Sequence, residues 1–138
     1  MRRFTCAASL LAAVLLAGCG TDPLGAFPRQ FTNMPDRFEF ETVVEVEDIT
    51  RGDTFQWSNS GTTATVTSTT SSDMGEARLI LRDAGGAEVY DAVLTPTTND
   101  VSQTGVAGEW TIELVLTNFS GDIQFVVETP TATAATGS

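Results

Sequence analysis

A chain of 138 residues with no histidine and no lysine lacks the parts for several kinds of catalysis. A Ser-His-Asp or Cys-His site, a Schiff base and a Ser-Lys dyad all need one of those two residues, and zinc sites of the usual His and Cys kind lose their commonest ligand. The formal charge of −11 repels nucleic acid and anionic headgroups, yet admits cationic ligands, divalent ions and basic protein patches.

The N-terminus reads as an export signal. Arg2 and Arg3 precede a short apolar core over residues 10–16, and a bilayer-spanning helix would need about 20 apolar residues. The core ends in Leu16-Ala17-Gly18-Cys19, which resembles the lipobox of bacterial lipoproteins. That resemblance implies cleavage after residue 18, a diacylglycerol thioether on Cys19 and acylation of the new N-terminus. Gly20 rather than Asp after the cysteine is compatible, by the same analogy, with export to an outer membrane. Cys6 would leave with the signal, so the mature chain has no thiol and no disulfide. What remains is about 120 residues, enough for one packed domain and hardly two.

Residues 19–36 carry Pro23, Pro28 and Pro35 and read as a lipidated tether, with Phe27 and Phe31 available to dock on the domain. Residues 129–138 (TPTATAATGS) offer little to bury and read as a tail. The expected domain is therefore 37–128. Within it apolar residues alternate with period two, and no helical period appears.

Residues 37–47 (RFEFETVVEVE) predict one strand, with Phe38, Phe40, Val44 and Val46 inward and Glu39, Glu41, Glu45 and Glu47 outward. Residues 54–59 put Phe55 and Trp57 inward before an Asn59-Ser60-Gly61 turn. Residues 62–68 offer Ala64 and Val66 to a core, and 77–82 offer Ala77, Leu79 and Leu81. Asp83-Ala84-Gly85-Gly86 turns the chain into 88–94. Trp110, Ile112, Leu114 and Leu116 alternate along the next strand. Asn118-Phe119-Ser120-Gly121 reads as a turn leading to Ile123, Phe125 and Val127. Seven strands, with an eighth near 101–103, predict an all-β antiparallel sandwich of the jelly-roll or immunoglobulin-like kind.

Three stretches carry a wider likeness. They are residues 55–66 (FQWSNSGTTATV), residues 79–90 (LILRDAGGAEVY) and Gly105-Val-Ala-Gly-Glu-Trp-Thr-Ile112. Together they resemble small, largely uncharacterised bacterial lipoproteins, a likeness that spans 38–127 and implies location and fold but no reaction. The Gly-x-Trp-x-Ile strand is more distantly similar to the pre-peptidase C-terminal and proprotein-convertase P domains. Those are jelly-roll modules beside secreted proteases, and some bind calcium. No Asp-x-Asp-x-Asp-Gly run occurs here, so no ligand set carries over.

Carboxylates are the chemistry that remains. Asp48, Asp53, Asp83, Asp100 and Asp122 lie at turns and loops and are candidate calcium ligands, although turns use Asp for its own backbone hydrogen bonds. Asp91 is a candidate general acid of a glycoside hydrolase if its side chain points inward with Val89 and Val93. The expectation is instead that Asp91 sits at an edge or bulge, or that Tyr90, Ala92 and Leu94 form the core face. Trp57 and Trp110 fall in phase with inward residues and read as core rather than sugar-stacking platforms. The glutamate row reads as a solvated strand face. Asn118-Phe119-Ser120 matches a glycosylation acceptor that a bacterial lipoprotein gives no reason to use.

The sequence therefore predicts a non-enzymatic, lipid-anchored binding or structural module of the cell envelope. It is held to the membrane by its N-terminal lipid, needs no cofactor, and meets an envelope protein or glycan partner. A calcium-assisted carbohydrate- or protein-binding module stands second and a carboxylate-dependent hydrolase third.

Overall fold

The computed structural model describes residues 29–131. The expected signal peptide, Cys19, residues 20–28 of the expected tether and residues 132–138 of the expected tail lie outside them. Nine strands in the described residues form two antiparallel sheets. One sheet runs in the order β1 (Arg29–Met34), β2 (Arg37–Thr42), β9 (Gln124–Glu128), β4 (Thr65–Ser68), β7 (Thr98–Val101). The other runs β3 (Val46–Asn59), β8 (Gly108–Asp122), β5 (Ser71–Arg82), β6 (Glu88–Val93). With β1 set aside, the orders 2-9-4-7 and 3-8-5-6 are those of a jelly roll, in which most connections cross from sheet to sheet. β1 is an added edge strand beside β2.

The alternation explains the layers. Leu79 and Leu81 of β5 stand opposite Leu114 and Ile112 of β8, and all four are fully buried. Phe38, Phe40, Phe125 and Val127 close the core from the five-stranded sheet. Each such side chain removed from water contributes about 1.5–3 kcal/mol before the cost of ordering it. The flanks are stitched between sheets. Asn33 Nδ2 donates to the Gln56 carbonyl at 2.8 Å, joining β1 to β3, and Tyr90 donates to Asp100 at 2.8 Å, joining β6 to β7.

Several boundaries differ from the expectation. The sandwich begins at Arg29, not at residue 37, because β1 pairs along all of β2 and lays Phe31 against Phe38 and Phe55 at ring distances of 5.8 and 4.9 Å. Residues 37–47 do not form one strand. The chain leaves the first sheet after Thr42 and enters the second at Val46, which leaves Val44 exposed rather than inward. Asn118 to Gly121 is not a turn either. β8 continues through it on a bulge, with Asn118 at φ 45°, and Phe119 enters the core. The bulge moves the buried positions from even to odd numbers, which carries the inward face on to Ile123 and Phe125. Two glycines make close approaches possible there. A Cβ at Gly75 (φ 69°) would lie 2.2 Å from the Thr117 and Asn118 carbonyl oxygens, and one at Gly121 (φ 145°) would lie 2.0 Å from the Ser71 oxygen. At the C-terminal boundary, Thr129 belongs to the domain: its N–H and its hydroxyl both bond Asp36.

Candidate functional site

Carboxylates stand at both ends of the sandwich, and at one end Asp36 and Asp83 are held by backbone hydrogen bonds. Asp83 is buried at the β5–β6 turn. Its Oδ1 accepts from the Gly85 and Ala87 N–H groups at 3.0 and 2.9 Å, and its Oδ2 accepts from the Val106 N–H at 2.8 Å. These donors, Val106 first, hold the carboxyl below the ordinary carboxylate range. The Val106 carbonyl in turn accepts the Trp110 indole N–H at 2.7 Å. Gly105 is required for this contact, since a Cβ there would sit 2.7 Å from the Asp83 Cβ. The Asp83 turn and the Gly105–Trp110 segment are thus one clamp.

A second carboxylate acts the same way at this end. Asp36, at φ 66° in the β1–β2 turn, accepts from the Ser60 N–H at 2.7 Å, the Ser60 hydroxyl and the Thr129 hydroxyl. The Ser60 backbone bond is the main cause of its lowered pKa. Buried Asn59 accepts from the Gly61 N–H and donates to the Thr63 carbonyl, and its Oδ1 shares the single Thr129 hydroxyl proton with Asp36. Nothing in the sequence of residues 19–36 marked Asp36 for this role; its partners lie far along the chain.

The remaining candidates are scattered. Asp53 pairs with Arg51 at 2.9 Å on the inner face of β3, both side chains nearly buried. Asp100 is bonded to Tyr90, whose hydroxyl is pushed above its ordinary pKa by burial and then by that bond. Asp48 (φ 48°) and Asp122 are exposed at the end opposite Asp83. The five candidate calcium ligands therefore do not converge, and no three His, Cys, Asp or Glu side chains among the described residues are grouped to hold a metal ion. Asp91 stands opposite Ile80 on the outer face, exposed and paired with Arg78, while Tyr90, Ala92 and Leu94 follow the inward phase of Leu81 and Leu79. Trp57 and Trp110 face each other across β3 and β8 at 6.0 Å and 89°, buried, with both indole N–H groups bonded to carbonyls. Neither offers a face to a sugar ring. The expected glutamate row is split, with Glu39 and Glu41 on the outer face of β2 and Glu45 and Glu47 on another part of the surface.

The opposite end is open. A hollow of about 600 Å³ is lined by Glu45, Val46, Glu47, Asp48, Asp73, Met74, Asn118 and Ser120. Val43, Val44 and Met74 at this end are 59%, 55% and 62% exposed. Sequence reasoning missed the site because it read residues 43–46 as strand. The consecutive Val43-Val44, which breaks the alternation, was the available signal. A smaller hollow of about 240 Å³ lies on the outer face of the five-stranded sheet. There Gln30 and Gln124 both donate to Glu41, so side chains of three neighbouring strands bond one another.

No known protein-family model matches this chain, and a search of curated proteins gives no match.

Proposed function

We propose that the protein is a lipid-anchored binding module of the cell envelope, in which a lipid on Cys19 supplies attachment and the jelly roll presents its open end to a partner. The observation that supports this most is the division of the carboxylates. Asp36 and Asp83 are held by backbone N–H groups, Asp53 and Asp91 by arginines and Asp100 by a tyrosine. Glu45, Glu47 and Asp73 enter no ion pair among the described residues and stand beside exposed aliphatic side chains. Natural surfaces seldom leave aliphatic groups exposed together without a use.

Two measurements test the reading. Cys19→Ser is expected to move the protein out of the membrane fraction; its recovery there in full would defeat the anchor. A photo-crosslinking residue at Val44 is expected to trap a partner in intact cells where the same residue at Val106, at the Asp83 end, does not. Equal yields from the two positions would remove the open end as the contact surface.

A further inference from the structure

We propose that the open end docks a cationic amphipathic segment of another protein, lying close to the membrane surface. This rests on the binding-module reading above and names the chemistry of its partner. The hollow carries four carboxylates, Glu45, Glu47, Asp48 and Asp73, and no arginine among the described residues lines it. Its apolar content is equally plain: Met74 lies in the lining, and Val43 and Val44 stand out of the adjoining β2–β3 connection. Exposed aliphatic side chains beside a group of carboxylates match a segment with leucine-like residues on one side and lysine or arginine on the other. An anionic partner would be repelled by these carboxylates and by the charge of the whole chain.

The path of the chain places the site. Arg29 pairs with Thr42, so β1 begins at the open end, whereas Glu128 pairs with Arg37 and β9 ends at the other. Residues 20–28 span at most about 30 Å when fully extended. With Cys19 in the bilayer, the open end therefore stays within reach of segments that lie along the membrane surface.

The framework around the hollow is built rather than loose. Ser120 Oγ accepts from the Asp48 N–H at 2.8 Å, Thr50 Oγ1 accepts from the Asn118 N–H at 2.8 Å, and Asn118 Nδ2 reaches Asp48 at 3.3 Å. Bulges shift the registers of β3 and β5 against β8 at this corner. The acidic side chains are thus presented from a bonded frame, which lowers the ordering cost of docking.

The test uses the full lipidated chain in neutral detergent and a fluorescein-labelled helical peptide with leucine on one face and lysine on the other. Binding is read by anisotropy. The lysine–leucine peptide is expected to bind, and its affinity to fall at least about tenfold for Glu47→Gln/Asp73→Asn and for Val44→Ser/Met74→Ser. Glu88→Gln/Glu109→Gln, which removes the same charge elsewhere, is expected to leave binding nearly unchanged. Equal loss in both charge-neutralised variants would overturn the site in favour of general attraction. Equal binding of a glutamate–leucine or a lysine–serine peptide would overturn the charge or the apolar half of the match. If a variant melts early, the three peptides on the unchanged protein still decide. Adsorption of Cys19→Ser protein to vesicles, lost on Val44→Ser, would make the end a bilayer contact and overturn the proposal. A membrane-bound protein that ignores every peptide would leave the anchor reading standing and sink this one.

Discussion

At the Asp83 end of the sandwich, two carboxylates each hold a backbone N–H from a distant loop, and the two tryptophans meet edge to face. At the other end, carboxylates of the same residue types stand beside Val43, Val44 and Met74 with no ion pair among the described residues. The difference is one of hydrogen-bond accounting. A loop whose backbone donors must be buried needs an acceptor, and a short Asp side chain supplies two. A loop that stays in water needs none, so its carboxylates remain available to something outside the molecule.

Substitutions at the two ends should therefore behave differently. The largest effect is expected from Trp110→Ala, about 3–5 kcal/mol by urea titration, because a fully buried ring is lost together with its bond to the Val106 carbonyl. A small loss would mean that the Asp83 end tolerates solvent and is not the rigid one.

The next effect depends on pH. Asp83 and Asp36 stay ionised in the folded domain at pH values where the unfolded chain takes up protons. Their contribution is complete above the unfolded carboxylate pKa of about 3.9 and is lost as pH falls through the lower folded values. Asp83→Asn should be less stable than the unchanged protein near neutrality, and the gap should narrow in acid. Urea midpoints that keep a constant gap from neutral pH down to about pH 3 would show that the charge of Asp83 does not matter.

The smallest effect is expected at the open end, where Val44→Asn should change stability by no more than about 0.5 kcal/mol. A larger loss, read from the same titration, would show that Val44 packs against something and would erase the contrast between the ends.

Much of the core was legible from alternation alone. Leu79, Leu81, Ile112, Leu114, Phe125 and Val127 are buried as their spacing predicts, and both tryptophans are core residues. The departures share one cause. β1 was hidden because Arg29 to Met34 becomes a strand only by pairing with β2, and its own burial pattern is nearly all exposed. Asn118 to Gly121 has the composition of a turn, yet pairing with β3 and β5 on both sides holds it in β8. Val43 and Val44 have strand propensity, but the chain must cross between sheets there. Propensity loses to pairing in each case.

Residue order along the chain was sufficient for the all-β class, for most of the inward face and for the reactions ruled out by the missing histidine and lysine, since these follow from a period of two and from side-chain chemistry. Only the tertiary structure decided which carboxylates serve the fold and which are left at the surface. That role depends on which N–H comes within about 3 Å of the oxygen. For Asp83 the distant donor is Val106, added to the neighbouring Gly85 and Ala87, and for Asp36 it is Ser60, with the Thr129 hydroxyl bonded beside it. The distant partners are brought together by the jelly-roll crossings and not by neighbourhood in sequence.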